Sequence, residues 1–414
     1  MKILVVGTGG REQALAWACS KSALCETLYC APGNPGMATF AQCVDISDSD
    51  IDKLTTFAKE KEIDLTVIGP EATLALGITD AFEKEGLKVF GPTKAATQVE
   101  SSKNFAKEMM KKYNIPTAAY QTFSDSEAAW AYVQQQGAPI VIKEDGLKAG
   151  KGVTVAETLE QAKEALDVAF AIENNSVVIE ECLRGFEFSL ICLVHKDVVI
   201  PCEVAQDHKP VGDGDTGANT GGMGSYSPVK KITPEITKEA MDTIMIPMAQ
   251  AMVKEGVPFT GFLYGGLMMT EDGIKTIEFN ARFGDPEAEV ILPRLESDFV
   301  QAMLDVMDGK QIDLQWSDQV SHGVVLASTG YPQSSTKGAL IQGVEDVDGM
   351  VFHMGTKTEN GQLKTNGGRV LMVVETADTL EQAYEKTYNE IKKIKSTDLF
   401  YRSDIGRKDM DENA

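Results

Sequence analysis

The chain has 414 residues, 43% of them hydrophobic and 24% charged, the profile of a globular protein too long for one core and long enough for two to four domains. With 39 Lys and Arg against 62 Asp and Glu the formal net charge is −23, so the molecule as a whole repels nucleic acid and anionic membranes, and any phosphate ligand needs local cations, backbone N–H groups or a metal. Seven cysteines without a Cys-x-x-Cys pair read as small hydrophobes of a reducing compartment, the four histidines lack zinc-site spacing, and neither a signal peptide nor a run of about 20 apolar residues is evident, so a cytoplasmic location is expected.

Lys2 to Val6 reads as a buried strand, and Gly7-Thr8-Gly9-Gly10 as the turn into a helix from about Arg11 to Ser22. A strand at Thr27 to Cys30 leads into a loop containing Asn34 and Gly36; a helix near Asp50 to Lys61, a strand Leu65 to Ile68, the loop Gly69-Pro70-Glu71, another helix and the strand Val89-Phe90 follow. This alternation predicts a doubly wound parallel sheet whose ligands sit at the carboxyl ends of its strands. From Ser102 the texture changes: helices Lys103 to Tyr113 and Ser124 to Gln136, an apolar strand Pro139 to Ile142, a glycine-rich loop and helix, then strands Ser176 to Glu181 and Glu187 to Leu193. Asp207 to Pro228 reads as one long structureless loop, which in a compact protein points to function. The single helix Pro234 to Glu255 precedes a hairpin with its turn at Thr270 to Gly273; the tail from about Ser321 is strand-rich with one amphipathic helix, Thr379 to Lys395.

Three constellations carry chemistry. On the second strand of the hairpin a period of two puts Ile274, Thr276, Glu278 and Asn280 on one face and Lys275, Ile277 and Phe279 on the other. Glu278 and Asn280 are hard oxygen ligands suited to magnesium, and Arg282 follows; a lone Glu-x-Asn would more often be a solvated strand end. In the loop Asp145 to Gly152 three glycines let the backbone close over a polyphosphate, with Lys148 and Lys151 as charges, although the spacing is not that of a Walker A loop. Lys143 ends a buried strand, which is unfavourable unless it meets an anion. Val177 to Leu183, with Glu187 beyond, has the form of a hinge whose backbone at Glu181 to Leu183 could read an adenine edge while Glu187 holds ribose hydroxyls. The N-terminal glycine turn also invites a nicotinamide dehydrogenase reading, but Glu12 stands at the third fingerprint glycine and no acid ends the second strand.

In this order, lysine in a helix, strand lysine, glycine-lysine loop, acidic hinge and distal Glu-x-Asn with a following Arg, the chain resembles the ATP-grasp ligases. Through GTGGRE, GPE, DHKPVGDGDTGANTGGMGSYSP and EFNARFGDPE it is similar to the glycinamide ribonucleotide synthetase family, from Met1 to about Gly406. The resemblance implies an α/β and α+β multidomain fold: an N-terminal Rossmann-like, doubly wound substrate domain over 1–101, an ATP-grasp domain over 102–325 with a lid at about 121–186, a strand-rich C-terminal domain over 326–406, and a frayed, disordered tail at 407–414. It implies that Lys103 and Lys143 contact ATP phosphates, that Gly146, Lys148, Gly150, Lys151 and Gly152 belong to a lid loop, that Glu180, Glu181 and Leu183 hold adenine and Glu187 ribose, and that Glu278 and Asn280 bind Mg2+ or Mn2+. Arg282, Lys143 and Lys151 would neutralise charge in catalysis, and Gly10, Arg11, Asn34, Gly36, Glu71, Asp213, Asn219, Gly222, Arg282 and Asp285 are candidates for holding the other substrates. Those substrates would be glycine and 5-phosphoribosylamine, joined with ATP cleaved to ADP and phosphate. Many relatives place a further acidic ligand on the first strand of the hairpin; Tyr264-Gly265-Gly266-Leu267-Met268 has none, so a second metal would be less securely held.

Overall fold

The computed structural model describes residues 1–148 and 152–410. Strands β1 (Lys2–Gly7), β2 (Thr27–Pro32), β3 (Gln42–Cys43), β4 (Leu65–Ile68) and β5 (Val89–Phe90) form a parallel sheet in the order β3-β2-β1-β4-β5. Alternation along β1 sends Ile3 and Val5 into one core and Leu4 and Val6 into another, so both faces are covered, as a parallel sheet requires. Strand order reverses between β1 and β4, which opens a crevice at their carboxyl ends, where Gly7 to Gly10 and Gly69 to Glu71 meet.

The next layer is antiparallel. β6 (Tyr120–Phe123), β7 (Ile140–Glu144), β8 (Val153–Ala156) and β9 (Val177–Glu181) lie in the order β6-β9-β7-β8. Ile140, Ile142, Val177 and Ile179 pack with residues of helices Ser126–Gln136 and Leu159–Phe170, so the pleat turns Val141 and Lys143 to the other face. β10 (Phe186–His195) and β11 (Val198–Pro201) follow.

The expected structureless loop is corrected here, because it contains β12 (Gln206–Asp207), β13 (Pro210–Gly212), β14 (Thr216–Asn219) and β15 (Gly224–Ser227). β13 and β14 pair across a tight turn where Gly214 and Asp215 take positive φ. Short polar strands of this kind lack the apolar alternation that marks a strand in a sequence. The single helix expected over Pro234 to Glu255 is two α-helical lengths, Pro234–Ala240 and Ile246–Lys254, around a π turn at Met241–Met245. Pro247 has no N–H to donate and lies just past that wider turn, which accommodates the missing bond.

β16 (Thr260–Thr270) and β17 (Gly273–Asn280) complete a second antiparallel sheet, β11-β10-β16-β17. Its two faces are both buried: Leu190, Cys192, Leu263 and Leu267 enter one core, and Ile191, Leu193, Phe262 and Tyr264 the other. The strict period-two reading of β17 needs correction. Gly266 pairs with Glu278 but Leu267 pairs with Thr276, so Ile277 is an extra residue, a bulge. Ile274 and Phe279 therefore share one core, while Glu278 and Asn280 stand on the opposite side with Tyr264.

β18 (Val320–Ser328), β19 (Met350–His353), β20 (Thr356–Glu359), β21 (Gln362–Thr365), β22 (Arg369–Ala377) and β23 (Leu399–Phe400) make up the C-terminal part, with helix Leu380–Ile391 packed on β18 and β22. Its main sheet runs β12-β15-β18-β22-β19 with β23 on β18, so it takes in two strands of the supposed loop, and the boundary expected at 325/326 falls inside β18. In the expected frayed tail, Arg407–Met410 forms a helical turn, and 411–414 lie outside the described residues. Among the described residues no helix is long and apolar enough to cross a membrane.

Candidate active site

A cavity of about 440 Å³ lies where the parallel sheet, the lid sheet and the β16–β17 hairpin meet. It gathers side chains from distant parts of the chain: Arg11 and Glu71 from the crevice, Lys103, Lys143, Gly146, Lys148 and Gly152 from the helix and lid, and Glu180, Glu181, Leu183 and Glu187 from the hinge. Asn219 and Asp285 join them, with Glu278, Asn280 and Arg282 at the end of the hairpin. Gly150 and Lys151 lie outside the described residues.

The lysines converge because each sits at the end of a rigid element. Lys143, almost fully buried, donates to Ile277 O at 2.9 Å and ion-pairs with Glu180 Oε1 at 3.0 Å. The anion expected to balance this buried lysine is thus a side chain of the protein itself. Lys103 opens the helix Lys103–Lys112 and donates from Nζ to Gly146 O at 2.9 Å, while its backbone N–H donates to Asp145 at 2.7 Å. Burial lowers the Lys103 pKa, and the neighbouring Lys143 adds to this, against the pull of Glu278 and Asp145. Glu181 accepts from Ala119 N at 3.1 Å and Lys275 Nζ at 3.2 Å, which fixes the strand edge at the hinge. Lys148 pairs with Glu144 and Glu187 with Lys209.

Glu278 and Asn280 meet as the pattern predicts, though by way of the bulge: Asn280 Nδ2 lies 3.4 Å from Glu278 Oε1. Burial alone would raise the Glu278 pKa, but Lys209, Lys143 and Arg282 outweigh it and hold the carboxylate ionised. Among the described residues no group of three or more His, Cys, Asp or Glu side chains is arranged to hold a metal ion. One carboxylate and one amide oxygen fit a hard cation that completes its shell with water and phosphate oxygens.

Arg282 belongs to a chain of alternating charges. Its Nη2 is 3.1 Å from Glu100 and its Nε 3.5 Å from Glu71, whose same oxygen is 3.5 Å from Arg11 Nη1; Arg11 Nε in turn lies 2.5 Å from Glu12. Burial works to raise the Glu71 pKa, yet Arg11 and Arg282 together bring it to about 2. Glu12 also accepts from Gly9 N at 2.7 Å, satisfying the backbone N–H that precedes the first helix, and its side chain fills the glycine turn where a dinucleotide would have to approach. Arg11 is therefore buried in an internal network as well as facing the cavity.

Five candidates do not line this cavity. Asn34 is engaged by Thr8 O at 3.0 Å, His353 O at 2.8 Å and Met37 N at 2.8 Å, so its amide staples the second loop to the C-terminal part. Gly36 lies in the same seam, where a Cβ would fall 2.4 Å from Gln13 Oε1 and 2.6 Å from His353 Cδ2. Gly10 packs inside against Glu289. Asp213 accepts from Ser403 N at 2.8 Å and Ser403 Oγ at 2.5 Å on the outer hairpin. Gly222, at φ +114°, is a backbone position beside Asp207, where a Cβ would lie 2.4 Å from Oδ1.

The sequence reading missed Glu100, Lys107, Asp207, Lys209, Tyr264, Glu287 and Arg369, all of which line the cavity. Lys209 and Asp207 sit in the segment read as one loop, and Arg369 arrives from β22, with Nη1 3.0 Å from Asp285 Oδ1 and 2.8 Å from Gly221 O. Burial and the nearby Glu287 push the Asp207 pKa well above the usual carboxylate range, while Glu287 accepts from Ser189 Oγ at 2.8 Å. The local signals existed, since Lys209 and Glu287 lie within the two long motifs, but nothing in the sequence brings Arg369 to them.

The phosphoribosylglycinamide synthetase models match in chain order, the N domain over residues 1–100, the ATP-grasp (A) domain over 101–288 and the C domain over 321–408. The chain is 52% identical to a phosphoribosylamine–glycine ligase of Halalkalibacterium halodurans, over 100% of this chain and 98% of that one, and 50% identical to one of Streptococcus pneumoniae, over 99% of each. The crystal structure of phosphoribosylamine–glycine ligase from Thermotoga maritima superposes with a TM-score of 0.87 at 33% identity, covering 98% of this chain and 100% of that one. With N, ATP-grasp and C domains in order around one cleft, the chain belongs to the phosphoribosylglycinamide synthetase family.

Proposed function

We infer that the chain joins glycine to 5-phosphoribosylamine, cleaving ATP to ADP and phosphate, as a step of purine biosynthesis. The observation that carries this is one cavity holding a paired-lysine phosphate wall, a Glu278–Asn280 ligand pair and the Arg282 charge chain together. The carboxylate of glycine is a poor electrophile, so ATP phosphorylates it first; the amine of phosphoribosylamine then attacks glycyl phosphate and expels phosphate. Lys103 and Lys143 hold the polyphosphate, the hinge backbone at Glu181 to Leu183 takes the adenine edge, and Glu187 exchanges Lys209 for the ribose hydroxyls. Glu180, bound up with Lys143, contributes to this pocket through that lysine rather than by meeting the base.

Mg2+ or Mn2+ held by Glu278 and Asn280 supplies further neutralisation of the phosphates when bound. Arg282, fixed by Glu100 and Glu71, faces the charge that develops on the transferring phosphoryl group. Catalysis here is chiefly positioning, and an acyl phosphate survives only when water is excluded. Lys148 and Gly152, at the two ends of the loop expected to cover it, line the cavity. Asn219, Asp285 and Arg11 are among the cavity side chains available to glycine and the phosphoribosyl amine. The free cysteines fit a cytoplasmic setting. The test is ADP release with glycine, freshly made phosphoribosylamine and magnesium, each omitted in turn: full turnover without either acceptor would reject this reading.

A further inference from the structure

Lys107 lies one helical turn after Lys103 and is 3% exposed, among the most buried lysines of the chain. Its Nζ donates to Thr117 Oγ1 at 2.8 Å and pairs with Glu180 Oε2 at 3.0 Å, while the other oxygen of Glu180 faces Lys143 at 3.0 Å. Thr117 Oγ1 donates onward to Thr276 O at 2.8 Å on β17, the strand of Glu278 and Asn280. The ring of Tyr120 lies against the same ammonium, its centroid 5.3 Å away. Two buried ammonium groups thus share one buried carboxylate, and the trio carries one positive charge in excess.

We propose that Lys107 is a positioning residue for nucleotide binding: by holding Glu180 from behind, it lets Lys143 leave that carboxylate and turn to the polyphosphate. If Lys143 were the only counter-ion of Glu180, drawing it towards ATP would strand a buried carboxylate, which is unfavourable. With Lys107 on the second oxygen the carboxylate stays paired throughout. This rests on the ATP-dependent reading of the cavity. Burial, with Lys143 adding to it against Glu180 and Glu181, brings the Lys107 pKa down to about 8, so the device weakens as pH rises through that value.

The experiment compares wild type, Lys107→Met, Glu180→Gln and the double variant, measuring calorimetric binding of a non-hydrolysable ATP analogue with magnesium and the KM values for ATP and glycine. Lys107→Met is expected to weaken nucleotide binding about tenfold and to raise the KM for ATP, with the KM for glycine unchanged. In the Glu180→Gln background the same change has little effect, because no carboxylate is left to trap Lys143. Wild-type affinity is expected to fall between about pH 7 and about pH 9, and Lys107→Met to lack that fall although Lys103 is still present. Equal loss in both backgrounds, or equal effects on the two KM values, would overturn the proposal. If Lys107→Met does not fold, Thr117→Val removes the bond that aims Lys107 and must weaken nucleotide binding in the same selective way. Failure of the wild type to bind the analogue would instead reject the ligase reading, whereas normal binding by both wild type and Lys107→Met would reject only the role of Lys107.

Discussion

Replacing Glu71 by Gln removes the carboxylate that touches both Arg11 and Arg282, at 3.5 Å each, and leaves the buried Arg11 and the half-buried Arg282 without their shared partner. The displacement of the Glu71 pKa from 4.5 to about 2 corresponds to about 3 kcal/mol in favour of the ionised form in the folded state. The Glu71 side chain is 27% exposed, so solvent screening reduces the expected stability loss to about 2 kcal/mol. For a cooperative unit of about 200 residues that lowers Tm by about 4 to 8 °C. The sign with pH follows from the depressed pKa: the contribution of Glu71 is complete above 4.5 and is lost as pH falls towards 2. Wild type and Glu71→Gln should therefore differ most near neutrality and converge in acid. Thermal melting followed by circular dichroism at several pH values measures this, and steady-state kinetics at pH 7 should show a lower kcat because Arg282 has lost one of its two carboxylate partners. A melting difference that is as large at pH 3 as at pH 7, or absent at pH 7, would refute the reasoning.

Glu278→Gln should cut turnover by about a hundredfold and shift the magnesium titration upward while Tm moves little, since Lys143 and Lys209 keep Glu180 and Glu187 as partners; a metal titration beside a melt decides it. Arg369→Met should cost about 3 kcal/mol in denaturant unfolding, because it strands Asp285 beside the buried Glu289, and should lower kcat/KM for the acceptor substrates. Gly36→Ala should lower stability by about 1–3 kcal/mol by forcing apart the seam between Gln13 and His353, measurable as a fall in Tm with KM for ATP unaltered.

The parts legible in the sequence are those in which local pattern and final environment agree. β1 and its glycine turn, the hairpin turn at Thr270 to Gly273 and the lysine next to the end of β7 all announce themselves through periodicity, breakers or a charge in an apolar run. Glu278 and Asn280 fall on the cleft side as expected, yet the alternation that suggested it placed Ile274 with them, and only the unpaired Ile277 separates the two. Pairing partners decide a bulge, and a single strand does not display its partner. Asp213 and Asn34 look like unengaged loop polar groups until Ser403 and His353, 190 and 319 residues further on, arrive to hydrogen-bond with them. Lys107 reads as an ordinary helix lysine and Arg369 as a strand arginine; their meaning depends wholly on what packs opposite.

Because β17 carries one residue more than β16 can pair, the hairpin has a built-in allowance for length change at a single point. Deleting Ile277 would leave Glu278 and Asn280 facing the cleft and Ile274 and Phe279 facing the core, since a regular alternation over the remaining seven residues gives the same sidedness. What would vanish is the carbonyl that receives Lys143. The inserted residue thus separates two kinds of tolerance: the fold of this strand can survive its loss, while Lys143 would be left with Glu180 alone to place it, so a gap at this position should be accepted for folding and costly for activity.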